Sequence, residues 1–120
     1  MINIGRKHRK ECVQKIVDFA NYKKNWNCYG AEPFSQEIIE KAMASLKRLF
    51  YLPTHIVPTA DDSIEFEVFT DNFHLLMNIA KSGFYFFVIN TDEDNKSFFS
   101  VIDIDAACRI WDAILIAYLS

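Results

Sequence analysis

Residues 64–90 read IEFEVFTDNFHLLMNIAKSGFYFFVIN, and this pattern decides the fold class. Apolar positions recur at every second residue in 64–69, and again in 73–79 after a turn. A period of two is typical of strands with one buried face. After a second turn, residues 84–90 are apolar at almost every position. Such a strand is usually central in a sheet or covered on both sides.

A polar turn over 91–96 leads to a fourth, shorter strand at 97–102. Each strand follows the last after only a few residues. Parallel pairing needs a long crossover connection, so this succession predicts an antiparallel meander of four strands.

Helical patterns lie on both sides of the sheet sequence. Residues 7–24 place Val13, Ile16, Val17 and Ala20 on one stripe, which predicts a core-facing helix. A second helix is predicted from Ser35, a favourable N-cap residue, through an apolar face that reaches Leu49 and Phe50, with the basic pair at 47–48 near its C-terminal end.

Two prolines, Pro53 and Pro58, then place residues 51–60 in an extended connection.

The chain closes with a helix that begins at a cap of Asp103 or Asp105. The sequence therefore predicts an α+β fold of order ααββββα, with its helices on one face of the sheet.

The closing helix is apolar on nearly all sides. Ile110, Ile114, Leu115 and Leu119 exceed what one narrow helix face can bury, and we take them as a candidate interface. An apolar surface of this kind is often covered by another chain. A homodimer through this helix is the expectation.

The composition limits the protein's class. A chain of 120 residues that is 51% hydrophobic, with few glycines and prolines, predicts one compact domain over 1–120. There is neither an apolar signal region nor a run long enough to span a membrane. Three scattered cysteines fit a reducing cytoplasm and lack zinc-site spacing, so neither a metal nor another cofactor is expected.

Positive charge is concentrated at the N-terminus. Residues 1–24 carry seven Lys or Arg side chains against two acidic ones, whereas the rest of the chain is acidic. Arg6, Lys7, Arg9 and Lys10 are candidate nucleic-acid contacts in a basic arm over 1–10 that could be mobile. The other interpretation is a solvated helix that faces the acidic body of the same fold.

The segment WNCYGAEP, residues 26–33, joins the first two helices. Gly30 can adopt a positive φ after the first helix, and Pro33 directs the chain into the second. Trp26 and Tyr29 can insert between the helices with their polar atoms at the edge. These four residues define a structural corner.

This corner resembles the W-D/N-x-Y-G-A-x-P signature of a group of small uncharacterised bacterial proteins. Residues 58–67 resemble the same group's P-T-x-D-G-x-I-x-L-E segment, and the matching pieces together span roughly residues 22–90. Cys28 replaces the usual Gly, and Asp62 and Ser63 stand where a Gly is typical. The resemblance implies a bacterial or phage setting and an α+β scaffold, but no particular chemistry.

Familiar catalytic motifs are missing from the sequence. Glu65 and Glu67 lie on one face of a predicted strand with His74 on the next, a minimal set for acid–base chemistry. The alternative is a polar sheet face in contact with water. Cys28 has no base nearby, and His8 and His55 have no evident companions.

These observations favour a non-enzymatic protein-binding protein of bacterial or mobile-element origin, similar in role to antitoxin, immunity or anti-defence proteins. The acidic body suits a basic partner. One alternative is a nucleic-acid-associated regulator that uses the N-terminal arm. Another is a small hydrolase built on Glu65, Glu67 and His74.

Overall fold

The computed structural model describes residues 5–119 and has three helices and five strands. In chain order they are α1 (Arg6–Ala20), α2 (Gln36–Arg48), β1 (His55–Pro58), β2 (Ile64–Thr70), β3 (Phe73–Ala80), β4 (Gly83–Asn90), β5 (Asn95–Val101) and α3 (Ile104–Leu119). The α+β class is confirmed.

The sheet is an antiparallel meander in the order β1-β2-β3-β4-β5. The prediction of four strands was wrong by one, because β1 lies within the stretch expected to be an extended connection. Pro58 ends β1 opposite Ile64, where an edge strand tolerates the missing N–H. Ile56 of β1 pairs with Phe66 and is buried beside it.

The core lies on one face of the sheet. Phe66, Met77 and Phe86 stand in register across β2, β3 and β4, and none of them has any solvent exposure. The fully buried Trp111 of α3 meets the Phe66 ring edge-on, with centroids 6.4 Å apart. Burying side chains of this size supplies about 2 kcal/mol each toward folding.

Helix α1 is shorter than predicted and is rotated relative to the expected stripe. It ends at Ala20 because the next residue, Asn21, caps it and donates a side-chain hydrogen bond to the carbonyl of Val17. Phe19 and Cys12 are buried instead of Val17 and Ala20, which are exposed.

Helices α2 and α3 begin at acceptor side chains. Ser35 caps α2 as predicted, since its hydroxyl accepts a hydrogen bond from the Ile38 N–H at 3.2 Å. Of the two caps considered for α3, the structure uses Asp103, whose carboxylate accepts from the Ala106 N–H at 2.8 Å. Across residues 5–119, the helices fall short of the length and apolar character that crossing a membrane requires.

Candidate protein-interaction surface

The second face of the sheet has no helix packed on it among the described residues, because the buried side chains of all three helices meet the strands on the other side. We call this surface the open face. Its side chains come from alternate positions of the five strands: His55, Val57, Glu65, Glu67, Phe69, His74, Leu76, Asn78, Tyr85, Phe87, Ile89, Lys96, Phe98 and Ser100.

An apolar row crosses the open face. Leu76, Phe87 and Phe98 are direct cross-strand neighbours on β3, β4 and β5. The rings of Phe87 and Phe98 meet edge-on at 6.1 Å, yet Phe98 remains 73% exposed. Single exposed apolar residues are normal on a protein surface, whereas a contiguous row suggests a binding surface.

A polar corner lies next to this row. The Nε2 atom of His74 is 3.4 Å from Oε1 of Glu67, and Glu65 lies on the same face of the same strand as Glu67. Burial raises the pKa of Glu65 above its ordinary value, and the neighbouring charge of Glu67 raises it further. Asn78 offsets part of this effect through a hydrogen bond of 3.4 Å to Oε2 of Glu65. This corner therefore holds two close carboxylates.

Two histidines flank the ring of Phe69 beside this corner. His55 stacks on the ring with a centroid distance of 4.8 Å, and His74 meets it edge-on at 5.5 Å. His55 is the direct cross-strand partner of Glu67. The sequence interpretation gave His55 no companion, because strand β1, which brings it here, was not predicted.

The structure thus brings the proposed hydrolase residues Glu65, Glu67 and His74 together, but on the open side of a sheet rather than in a cleft. The contact between His74 and Glu67 is at ion-pair distance without the geometry of a hydrogen bond. Acid–base catalysis needs a substrate held within hydrogen-bond reach of the base. Within residues 5–119 no cluster of three His, Cys, Asp or Glu side chains could hold a metal ion.

The basic residues near the N-terminus form the first turns of α1, whereas residues 1–4 of the predicted arm lie outside the described part of the chain. Arg9 points inward, and its guanidinium donates to the carbonyls of Leu46 at 3.0 Å and Leu49 at 2.8 Å. Arg9 therefore satisfies the end of α2. Arg6, Lys7 and Lys10 are exposed.

A groove of about 180 Å³ lies between α1 and β1, with His8, Glu11 and Cys12 in its wall. The Cys12 sulfur is 3.6 Å from Nε2 of His8, and Nδ1 of His8 is 3.7 Å from Glu11. This resembles a nucleophile with its base. However, burial raises the pKa of the Cys12 thiol to about 11, and Nε2 of His8 is already hydrogen-bonded to the Pro53 carbonyl at 2.8 Å. The thiol therefore stays protonated and unreactive at neutral pH.

At the structural corner, Trp26 packs against the segment that leads into α2. Its indole N–H donates to the Glu32 carbonyl at 2.9 Å, and its ring stacks on Phe34. Tyr29 does not insert between the helices, because it is 91% exposed. The side chain of Asn27 accepts hydrogen bonds from the N–H groups on either side of Gly30, those of Tyr29 and Ala31, and holds this loop geometry.

The glycine of the corner has the conformation expected of it, since Gly30 has a φ of +85°. Pro33 is exposed where the chain approaches α2.

The candidate interface on α3 is divided by the fold. Leu115 has no solvent exposure and belongs to the protein's own core. Ile110 and Ile114 are half-buried, and Leu119 is 55% exposed. Three of the four residues therefore retain exposed apolar surface.

Comparison with known protein families, curated proteins and solved structures gives no match to this chain. The resemblance of the corner segment to small bacterial proteins stays a prediction.

Proposed function

We propose that this chain is a non-enzymatic protein-binding protein that receives its partner on the open face. The observation that carries the proposal is the row of Leu76, Phe87 and Phe98 on a sheet whose other side is filled by the helices. Apolar and aromatic side chains of this kind form the centres of protein interfaces.

The charge next to the row indicates the chemistry of the partner. Glu65 and Glu67 repel each other, and the pKa of Glu65 is already raised by burial. A Lys or Arg side chain placed between the two carboxylates would relieve this repulsion. The proposed partner is therefore a protein segment with apolar side chains flanked by basic ones.

The proposed setting is bacterial or a mobile element, in which the chain binds and occludes its partner as antitoxin, immunity and anti-defence proteins do.

Nucleic acid is the weaker alternative. Arg9, one of its four proposed contacts, is engaged with the end of α2, which leaves Arg6, Lys7 and Lys10 on the surface. The face that carries exposed aromatic rings is acidic at one end, so it would repel a phosphate backbone. Both observations therefore favour a protein partner over nucleic acid.

The test begins with cross-linking in the native host, followed by titration of the purified partner against purified variants. Phe87→Glu places a charge in the middle of the row, and Glu67→Lys reverses the acidic corner. We expect each to weaken binding by at least about tenfold, as for the central residues of an interface. Phe50→Glu is the matched control, because Phe50 is 59% exposed at the end of α2, away from the open face.

Circular dichroism confirms that each variant is folded before titration. Equal affinity of wild type and Phe87→Glu for the purified partner would overturn the proposal. A partner whose affinity falls only in Phe50→Glu would place the binding surface on the helical side instead.

A further inference from the structure

The two edges of the sheet differ in how they are protected. Strand β1 is four residues long and ends at Pro58, which has no N–H to offer. Strand β5 has seven residues, no proline and a single charged side chain, that of Lys96. An edge strand exposes a row of unpaired N–H and C=O groups, and proteins normally shorten, charge or cover such edges. The β5 edge has none of these protections beyond Lys96.

Apolar surface lies on both sides of this edge. On the open face, Phe98 is 73% exposed. On the helical side, Phe99 and Val101 are half-buried against the core. Ile110 and Ile114 of α3 are half-buried against the same core. The backbone edge thus runs between two apolar strips.

We propose that the β5 edge pairs with β5 of a second copy of this chain, antiparallel and about a two-fold axis. Side chains that face each other across a strand pair must point to the same face of the sheet. Full pairing of the seven residues meets this condition when Phe98 lies opposite Phe98 of the second copy. Asn95 then lies opposite Val101, and the two sheets join into one of ten strands.

A second copy suits this edge because the strand complements itself about Phe98. In this register the Phe98 ring, which is 73% exposed, meets its own counterpart on the two-fold axis. On the helical side, Phe99 lies opposite Ser97 of the second copy. Ile102, just beyond β5 and 83% exposed, lies opposite Asp94 of the second copy, outside the seven paired residues.

Charge does not oppose pairing of the seven residues. Lys96 is exposed and makes no ion pair with any other residue in the described range. In the dimer it lies opposite the neutral Ser100 of the second copy, so the two Lys96 side chains lie at opposite ends of the paired strands. The acidic turn at residues 92–94 remains outside the seven paired residues. This dimer does not depend on the partner proposed for the open face, which it leaves uncovered.

The experiment measures the mass of the full chain by light scattering, together with hydrogen exchange at several protein concentrations. We expect a mass twice the 14.0 kDa of the chain. We also expect slowed exchange of the β5 amides that increases with concentration, since N–H groups that face outward from an open edge would otherwise exchange rapidly. A strict monomer at high concentration would overturn the proposal. So would a dimer whose β5 amides are unprotected.

Two variants separate edge pairing from stacking of open faces. Phe98→Lys brings two like charges together on the proposed axis and should raise the dissociation constant of the dimer by about tenfold or more. Phe69→Lys changes an open-face residue that is 47% exposed on β2, far from β5 in strand order, and should leave the dimer intact. Loss of the dimer in Phe69→Lys, or its survival in Phe98→Lys, would contradict edge pairing.

Discussion

The carboxylate of Asp112 accepts a hydrogen bond from the backbone N–H of Tyr51 at 3.0 Å. Its second oxygen accepts from the N–H of Phe50 at 3.1 Å. The neighbouring Trp111 donates its indole N–H to the carbonyl of the same Tyr51 at 2.8 Å. Two adjacent side chains of α3 therefore satisfy both backbone polar groups of Tyr51, and they fix the chain as it leaves α2 for the sheet.

This arrangement predicts that Asp112→Ala destabilises the fold by about 2 kcal/mol, because two N–H groups lose a charged acceptor. Asp112→Asn keeps one acceptor oxygen and should cost about half as much. Urea unfolding measures both. The control is Asp105→Ala on the same helix, whose ion pair with Arg48 is exposed and should contribute less than about 1 kcal/mol. Equal losses at both positions would contradict this role of Asp112.

The corner loop predicts that substitutions at two adjacent residues change the free energy of unfolding by different amounts. Gly30→Ala should cost about 1 kcal/mol, since Gly30 has a φ of +85° while an added Cβ would meet no atom within 4 Å. The loss would then be backbone strain alone. Tyr29→Ser should change the free energy of unfolding by less than about 0.5 kcal/mol, because the side chain is 91% exposed. A large loss in Tyr29→Ser would mean that the ring packs in solution.

A third prediction concerns the basic start of α1. Arg9→Ala should cost about 1–2 kcal/mol, because the carbonyls of Leu46 and Leu49 each lose a charged donor. Arg9→Lys should recover only part of this loss, since an ammonium cannot reproduce the planar fork of a guanidinium. Lys10→Ala, an exposed neighbour, should be neutral within about 0.5 kcal/mol. Thermal unfolding of the three variants tests this order.

Much of the fold follows from local patterns in the sequence. The alternation from Ile64 onward and the turns between the strands predicted the meander, and the cap at Ser35 predicted the start of α2. Strand β1 was missed because prolines normally argue against a strand. At the outer edge of a sheet, however, the missing N–H of Pro58 costs little.

The candidate surface was harder to predict, because it depends on what fails to cover the sheet. The sequence predicted helices on one face of the sheet, yet the apolar pattern of β4 is also consistent with a strand buried on both faces. Only the tertiary structure shows that, within the described residues, the second face of β4 is left without a helix. Similarly, the role of Arg9 depends on contacts with α2, roughly 40 residues away in sequence. Local periodicity contains no signal for either.

A fourth prediction uses the raised pKa of Glu65. Because the folded state holds this proton more tightly than the unfolded state, the ionised form lowers stability as pH rises through the folded pKa. Glu65→Gln should therefore be more stable than wild type at pH 7. The difference should vanish below the ordinary value of 4.5.

Chemical denaturation from about pH 4 to pH 8 measures this difference for Glu65→Gln. Glu40→Gln on the exposed side of α2 is the control for the change from a carboxylate to an amide. A gain for Glu65→Gln that stays constant at all pH values would indicate a packing effect rather than a titration.

The final prediction concerns the three thiols. Cys28 is exposed, whereas Cys12 and Cys108 are 4% and 3% exposed, and burial raises the pKa of each buried thiol to about 11. Because the thiolate is the reactive form, iodoacetamide near pH 8 should add once to the folded protein and three times after unfolding. Mass spectrometry counts the adducts, and Cys28→Ser should show none while folded. Labelling of Cys12 as fast as that of Cys28 would show that the groove beside His8 admits reagents and holds a reactive thiolate, so a nucleophilic role for Cys12 would have to be reconsidered.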